Sequence, residues 1–167
     1  MMTRILGALL VVVLTPLAAC DDGGTTDAQP ADPATTSVHV HFTDSSVPPE
    51  YHRSWDLTLD QDTVHLVVDS YGDVIADETV DMPADEWNDF VDGLADAVGD
   101  LDDPESGDEG CSGGTSMSLD VDDAGDAETS LEVDNCANDH NEAISDDIES
   151  LVKPFTELVQ LDKHTRT

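Results

Sequence analysis

The 167-residue chain predicts an α+β domain: an antiparallel sheet of about six strands, two helices on one of its faces, the order ββββαββα, and one disulfide. Three observations carry this expectation. Six short segments alternate apolar and polar residues and are separated by turn-forming residues, the pattern of strands with one buried face. Two longer segments repeat apolar residues at spacings of three and four, the pattern of helices buried along one stripe. Two cysteines, Cys111 and Cys136, flank the last pair of strands.

In the first strand, over Ser37 to Thr43, Val38, Val40 and Phe42 face one way and His39 and His41 the other. Ser45-Ser46 and Pro48-Pro49 end it. Trp55, Leu57 and Leu59 mark a second strand, Asp60-Gln61-Asp62 a turn, and Val64, Leu66 and Val68 a third strand that pairs back as a hairpin. After the turn Ser70-Tyr71-Gly72-Asp73, Val74 to Val80 forms a fourth strand whose inward face is weakened by Ala76 and Glu78. Pro83 suits the first helical position, and Asp85 and Glu86 suit the positive end of the helix dipole. Trp87, Phe90, Val91, Leu94, Val98 and Leu101 then form one apolar stripe, and Gly99 marks the helix end. An acidic loop, Asp102 to Gly110, leads to a second hairpin with Met117, Leu119 and Val121 on one strand and Leu131 and Val133 on the other. The last helix carries Ile144, Ile148, Leu151, Val152, Phe155, Leu158 and Leu161, with a kink or restart expected at Pro154.

Residues 1–20 set the compartment. Arg4 precedes an apolar run, Ile5 to Leu14, of about ten residues, half the roughly twenty that a spanning helix needs. Thr15 and Pro16 end the run, and Leu17-Ala18-Ala19-Cys20 follows. That tetrapeptide resembles the lipobox of bacterial lipoproteins at every position. The resemblance implies cleavage before Cys20, a diacylglyceryl thioether on its sulfur, often an acylated amine, and a place on the exported side of the bacterial cell envelope. Two or three acyl chains make a stable anchor where one holds marginally. The expected organisation is a signal peptide over 1–19, lipidated Cys20 with a disordered Gly/Thr/Pro/Asp tether over 20–36, one domain over 37–161, and a polar tail over 162–167. The stretch Pro48 to Trp55, the Asp69 to Asp73 turn and the Cys111 to Thr115 segment are together similar to small exported bacterial proteins over Val38 to Leu161, a likeness that implies no activity.

With Cys20 taken by lipid, Cys111 and Cys136 are an even pair in an exported chain and are expected to form a disulfide. Its loop of about 25 residues contributes roughly 3 to 3.5 kcal/mol in the chain-entropy model. A thiolate metal site lacks the paired spacing of zinc sites, and a redox role lacks Cys-x-x-Cys.

Five Lys and Arg stand against 39 Asp and Glu, a net charge of −34; removing residues 1–19 takes one basic residue and no acid, leaving −35. This field repels nucleic acid and anionic headgroups and attracts cations or a basic protein. It also suits solubility in salt.

Four groups are candidates for chemistry. Tyr51, His52 and Arg53, with Tyr71, form a candidate partner-binding patch in which Arg53 is expected to pair with carboxylates. His39 and His41 lie about 7 Å apart on one strand face and, with His65 or His52, make a conceivable Zn²⁺ or Cu²⁺ site. Asp120 to Gly125 resembles the start of an EF-hand loop, but position five is Ala124, position twelve is Leu131, and the flanks read as strands, so a hairpin turn is expected, with weak attraction for Ca²⁺. Gly110-Cys111-Ser112-Gly113-Gly114 fits Gly-x-Ser-x-Gly without the strand before and helix after that a nucleophile elbow needs. The expected function is therefore a membrane-anchored, non-enzymatic, acidic envelope module that binds a partner, with no catalytic residue and no cofactor. A divalent-cation-binding lipoprotein (Ca or Zn) is the alternative, and a small hydrolase the third reading.

Overall fold

The computed structural model describes residues 31–106, 113–123, 129–136 and 139–166. Among these lie six strands: β1 (Thr36–Thr43), β2 (Ser54–Leu59), β3 (Thr63–Ser70), β4 (Asp73–Asp81), β5 (Ser116–Asp123) and β6 (Thr129–Asp134). Helix α1 (Ala84–Gly99) lies between β4 and β5, and α2 (Asp139–Leu158) and the short α3 (Leu161–Thr165) follow β6. The order is thus ββββαββαα, with one short helix more than expected.

Every strand pair is antiparallel, and the sheet order is β4-β3-β2-β1-β5-β6. The first four strands form a meander. Helix α1 then carries the chain from the β4 edge to the far side of β1, where β5 pairs with β1 from Thr36↔Asp123 to Thr43↔Ser116. A two-residue turn cannot make that move; a helix-length connection can.

The alternation sets the faces. Val38, Val40, Leu57, Leu59, Val64, Leu66, Val68 and Leu119 are fully buried, while His39, His41, Asp56 and His65 on the opposite face are half-buried. One face being apolar, the helices pack there: Trp87, Val91 and Leu94 of α1 and Ile144, Ile148, Val152 and Phe155 of α2 join the same core. Trp87, Phe90 and Phe155 link the two helices, with the Phe90 and Phe155 rings edge-to-face at 4.9 Å.

Four expectations are corrected. The domain begins before residue 37. Thr36 is buried in β1, Thr35 and Thr36 N–H groups donate to Asp32 O, and the Trp87 indole N–H donates to Pro33 O at 2.8 Å. The end of the expected tether is therefore docked on α1, because a buried indole needs an acceptor and this carbonyl supplies it. Pro83 is the α1 N-cap, one residue outside the helix. Helix α2 runs through Pro154, with Val152 and Phe155 buried on either side of it. The restart falls instead at Gln160, which adopts left-handed φ 53° and ψ 43°, and part of the expected polar tail is α3.

Asn141, which no sequence pattern marks, is fully buried. Its side chain donates to Glu105 O and Asp134 O and accepts from Glu105 N–H, tying the acidic loop and the end of β6 to α2. Cys136 is buried beside Gly114, where an added Cβ would lie 3.2 Å from its sulfur. Cys20, Cys111 and Ser112 lie outside the described residues, as do residues 124–128, where the hairpin turn is expected.

Candidate partner-binding corner and adjoining groove

Ser54 opens β2 opposite Asp69 of β3, so the 44–53 loop ends beside the β3–β4 turn. Asp44 organises the loop. Its Oδ1 accepts from Ser45 N–H at 2.7 Å and from Ser45 Oγ at 3.3 Å, and its Oδ2 accepts from Arg53 N–H at 2.8 Å. Its own N–H donates to Ser54 Oγ at 3.0 Å. The loop is then pinned to the turn: Ser70 Oγ donates to Pro49 O at 2.8 Å and the Tyr71 hydroxyl to Val47 O at 2.6 Å.

The turn itself has positive φ at both central residues, 52° at Tyr71 and 90° at Gly72, as in the type I′ turns that match strand twist. A tyrosine in this conformation is held from outside: its ring stacks on His52 at 3.9 Å and its hydroxyl is bonded across the loop. His52 is 4% exposed, so it supports Tyr71 from beneath and does not form part of the surface.

Arg53 departs from expectation. No carboxylate lies within ion-pair distance of its guanidinium among the described residues. Its Nη atoms donate to the carbonyls of His52, Glu50 and Pro49 at 2.6, 3.0 and 3.5 Å. The tight loop turns carbonyls inward, and the planar fork matches them better than a distant acid. His52 Nδ1 and Arg53 Nε are buried without a hydrogen-bond partner among the described residues.

Just beyond the turn, β4 bulges. Val68 pairs with Ala76 but Asp69 pairs with Val74, so Ile75 is an extra residue. Ala76, Glu78 and Val80 keep the inward phase expected for them, whereas Val74 is shifted to the phase of Asp69 and points outward. The large hydrophobic side chains exposed among the described residues are Tyr51, Tyr71, Val74 and Ile75. All four belong to this loop and hairpin.

Tyr51 and Arg53 also line an open groove of about 680 Å³ between the ends of β1 and β2 and helices α2 and α3. Phe42 and Trp55, cross-strand partners with rings 5.8 Å apart, form its apolar wall. Asp146, Glu149 and Lys153 face it from α2. Burial, and secondarily the neighbouring Asp146, hold the Glu149 carboxyl above the usual range. Lys153, Lys163 and Arg166 line the adjacent groove, so the four basic residues beyond Arg4 gather at this end of the domain.

The histidine face lies elsewhere. His39 Nε2 and His41 Nδ1 meet one oxygen of Asp56, at 3.1 and 2.8 Å, and His39 Nδ1 is 3.8 Å from Asp120. His65 pairs instead with Asp77 at 3.0 Å, and His52 is in the corner. Among the described residues no three His, Cys, Asp or Glu form a metal-ligand set. Asp120 and Asp122 lie in β5, in line with the hairpin expected there.

No protein-family model matches the chain, and no curated protein matches it closely enough to count as a relative.

Proposed function

We propose that this protein is a lipid-anchored, non-enzymatic binding module of the bacterial cell envelope whose partner surface is the corner of Tyr51, Tyr71, Val74 and Ile75, supported by His52 and Arg53. That all four large exposed hydrophobic side chains among the described residues fall on this one loop and hairpin carries the reading, since exposed apolar residues scattered singly over a surface need no explanation. The loop is already tied down by Asp44, Ser70 and Tyr71, so little ordering cost remains at binding. Among the described residues no helix is long and apolar enough to cross a membrane, and acylated Cys20 is the proposed anchor in the bilayer. A disulfide between Cys111 and Cys136 belongs to the same proposal. Two free thiols in the non-reduced, delipidated protein would remove it.

The test is photocrosslinking in cells with benzoylphenylalanine at Val74, and at the exposed Asp92 of α1 as control. A discrete adduct at Val74 and none at Asp92 is expected. No adduct, or the same adduct from both positions, refutes the corner.

A second reading, divalent-cation binding, has one observation in its favour: His39 and His41 converge on Asp56 with Asp120 nearby. Calorimetric titration with Zn²⁺ tests it, and loss of a saturable heat in His41→Ala is the expected signature; absence of saturable heat in the unaltered protein ends it.

A further inference from the structure

The corner continues into β4, one of the two terminal strands of the sheet. Seven of its nine residues are exposed, and Ala76 and Val80 are partly buried against the core. Strand β3 pairs with one side of its backbone, and among the described residues no strand pairs with the other. Such an edge presents a row of amide donors and carbonyl acceptors to any extended chain.

Proteins close exposed edges with lysines, prolines, bulges or charge. Strand β4 contains no Lys and no Pro. Its bulge is confined to the Val74–Ile75 end, and the register runs unbroken from Ala76↔Val68 to Asp81↔Thr63. Those six residues offer a ladder of about 20 Å. What remains as a guard is charge: Asp73, Asp77, Glu78 and Asp81.

That guard is selective. A second copy pairing along β4 would set acids against acids within one ladder, and two chains of net charge −34 repel at longer range. A strand carrying Lys or Arg meets the opposite situation. Among the described residues the ion-pair partners of Asp77 and Glu78 are histidines, His65 at 3.0 Å and His164 at 3.8 Å. Among the described residues no Lys or Arg forms an ion pair with Asp77, Glu78 or Asp81. At the bulged end, Tyr71, Val74 and Ile75 offer apolar contact to the same incoming segment.

We propose that β4 is a strand-addition site for an extended, Lys/Arg-bearing segment of a partner protein, its basic side chains meeting Asp77, Glu78 and Asp81 and its apolar residues meeting Val74 and Ile75. This deepens the proposed binding function and rests on the corner being a partner surface.

The full chain, purified in neutral detergent, is titrated with two labelled synthetic peptides of equal length and charge, one alternating Lys and Val and the other alternating backbone-N-methylated Lys and Pro. Both feel the protein's charge; only the first can add as a strand, because the second carries no amide donor on either edge. The Lys–Val peptide is expected to bind about tenfold tighter, a difference of about 1.4 kcal/mol, and to slow amide exchange over Ala76 to Asp81. The variant Asp77→Lys/Asp81→Lys, which reverses the two acids on one face of the strand and is checked for an unchanged melting curve, is expected to lose that margin. Equal affinity for the two peptides, an unaltered margin in the variant, protection elsewhere in the chain, or dimerisation through β4 in sedimentation overturns strand addition. If the Val74 crosslink persists while the peptides are not discriminated, strand addition fails and the corner stands; if the crosslink is also absent, both fail.

Discussion

Asp44→Ala is expected to destabilise the domain by about 2 kcal/mol. The carboxylate receives backbone amides from Ser45 and Arg53 and the Ser45 hydroxyl. A hydrogen bond to a charged group contributes roughly 1.5–3 kcal/mol. Asp44 is half-exposed, and water can replace the acceptor at Ser45 at small cost. The Arg53 amide is different: it lies across a nine-residue separation and closes the loop, so most of the loss falls there. One acid fewer in a chain of −34 relieves some repulsion, which works in the opposite direction. Asp44→Asn removes the same charge and keeps one acceptor oxygen, so comparing Asn with Ala isolates the hydrogen bonds. For a domain of this size 1 kcal/mol moves Tm by roughly 3–5 °C, which puts the Ala variant about 6–10 °C below the parent and Asn between them. Thermal and urea melts followed by circular dichroism measure this, and exchange at the Arg53 amide should quicken most. An Ala variant melting with the parent, or an Asn variant no better than Ala, refutes the assignment of Asp44 as the loop's anchor.

Three further outcomes are expected. Gly72→Ala should lower stability by about 1 kcal/mol, read as a urea midpoint shift, because φ of 90° strains any side chain even though open space surrounds the position. Glu149→Gln should raise Tm at neutral pH. Burial raises the folded-state pKa, so the folded chain holds the proton more tightly than the unfolded one; the native form loses stability as pH rises from the unfolded value of 4.5 through the raised one, and the advantage of Gln should vanish in melts below that window. Tm of the parent should climb from low to molar NaCl as screening relieves self-repulsion, and a flat response would mean that net charge weighs little on the stability of the fold.

The linear chain determined which residues face inward. Val38 and Val40 against His39 and His41, or Trp87, Val91 and Leu94 along α1, follow from periods of two and 3.6, which are local geometry. Turns at Asp60 to Asp62 and Ser70 to Asp73 follow from turn-forming residues between apolar runs. The antiparallel six-stranded sheet was legible for the same reason. Which strands become neighbours was not, because the pairing of β5 with β1 depends on where α1 delivers the chain.

The candidate site was half legible. Tyr51, His52, Arg53 and Tyr71 do lie together, but their roles came from tertiary contacts. Composition suggested that Arg53 would find acids, whereas the loop offers carbonyls at closer range. Val74 and Ile75 were missed since alternation assigns Val74 inward, and only the one-residue bulge reverses its phase. Asn141 and the docking of Pro33 on Trp87 join segments 36 and 54 residues apart, beyond the reach of any local period. Sequence alone settled the faces of the regular elements, the bulged start of β4 excepted, and the acidity of the surface; the tertiary structure decided which side chains were left outside after packing, because exposure is a property of neighbours brought together by the fold.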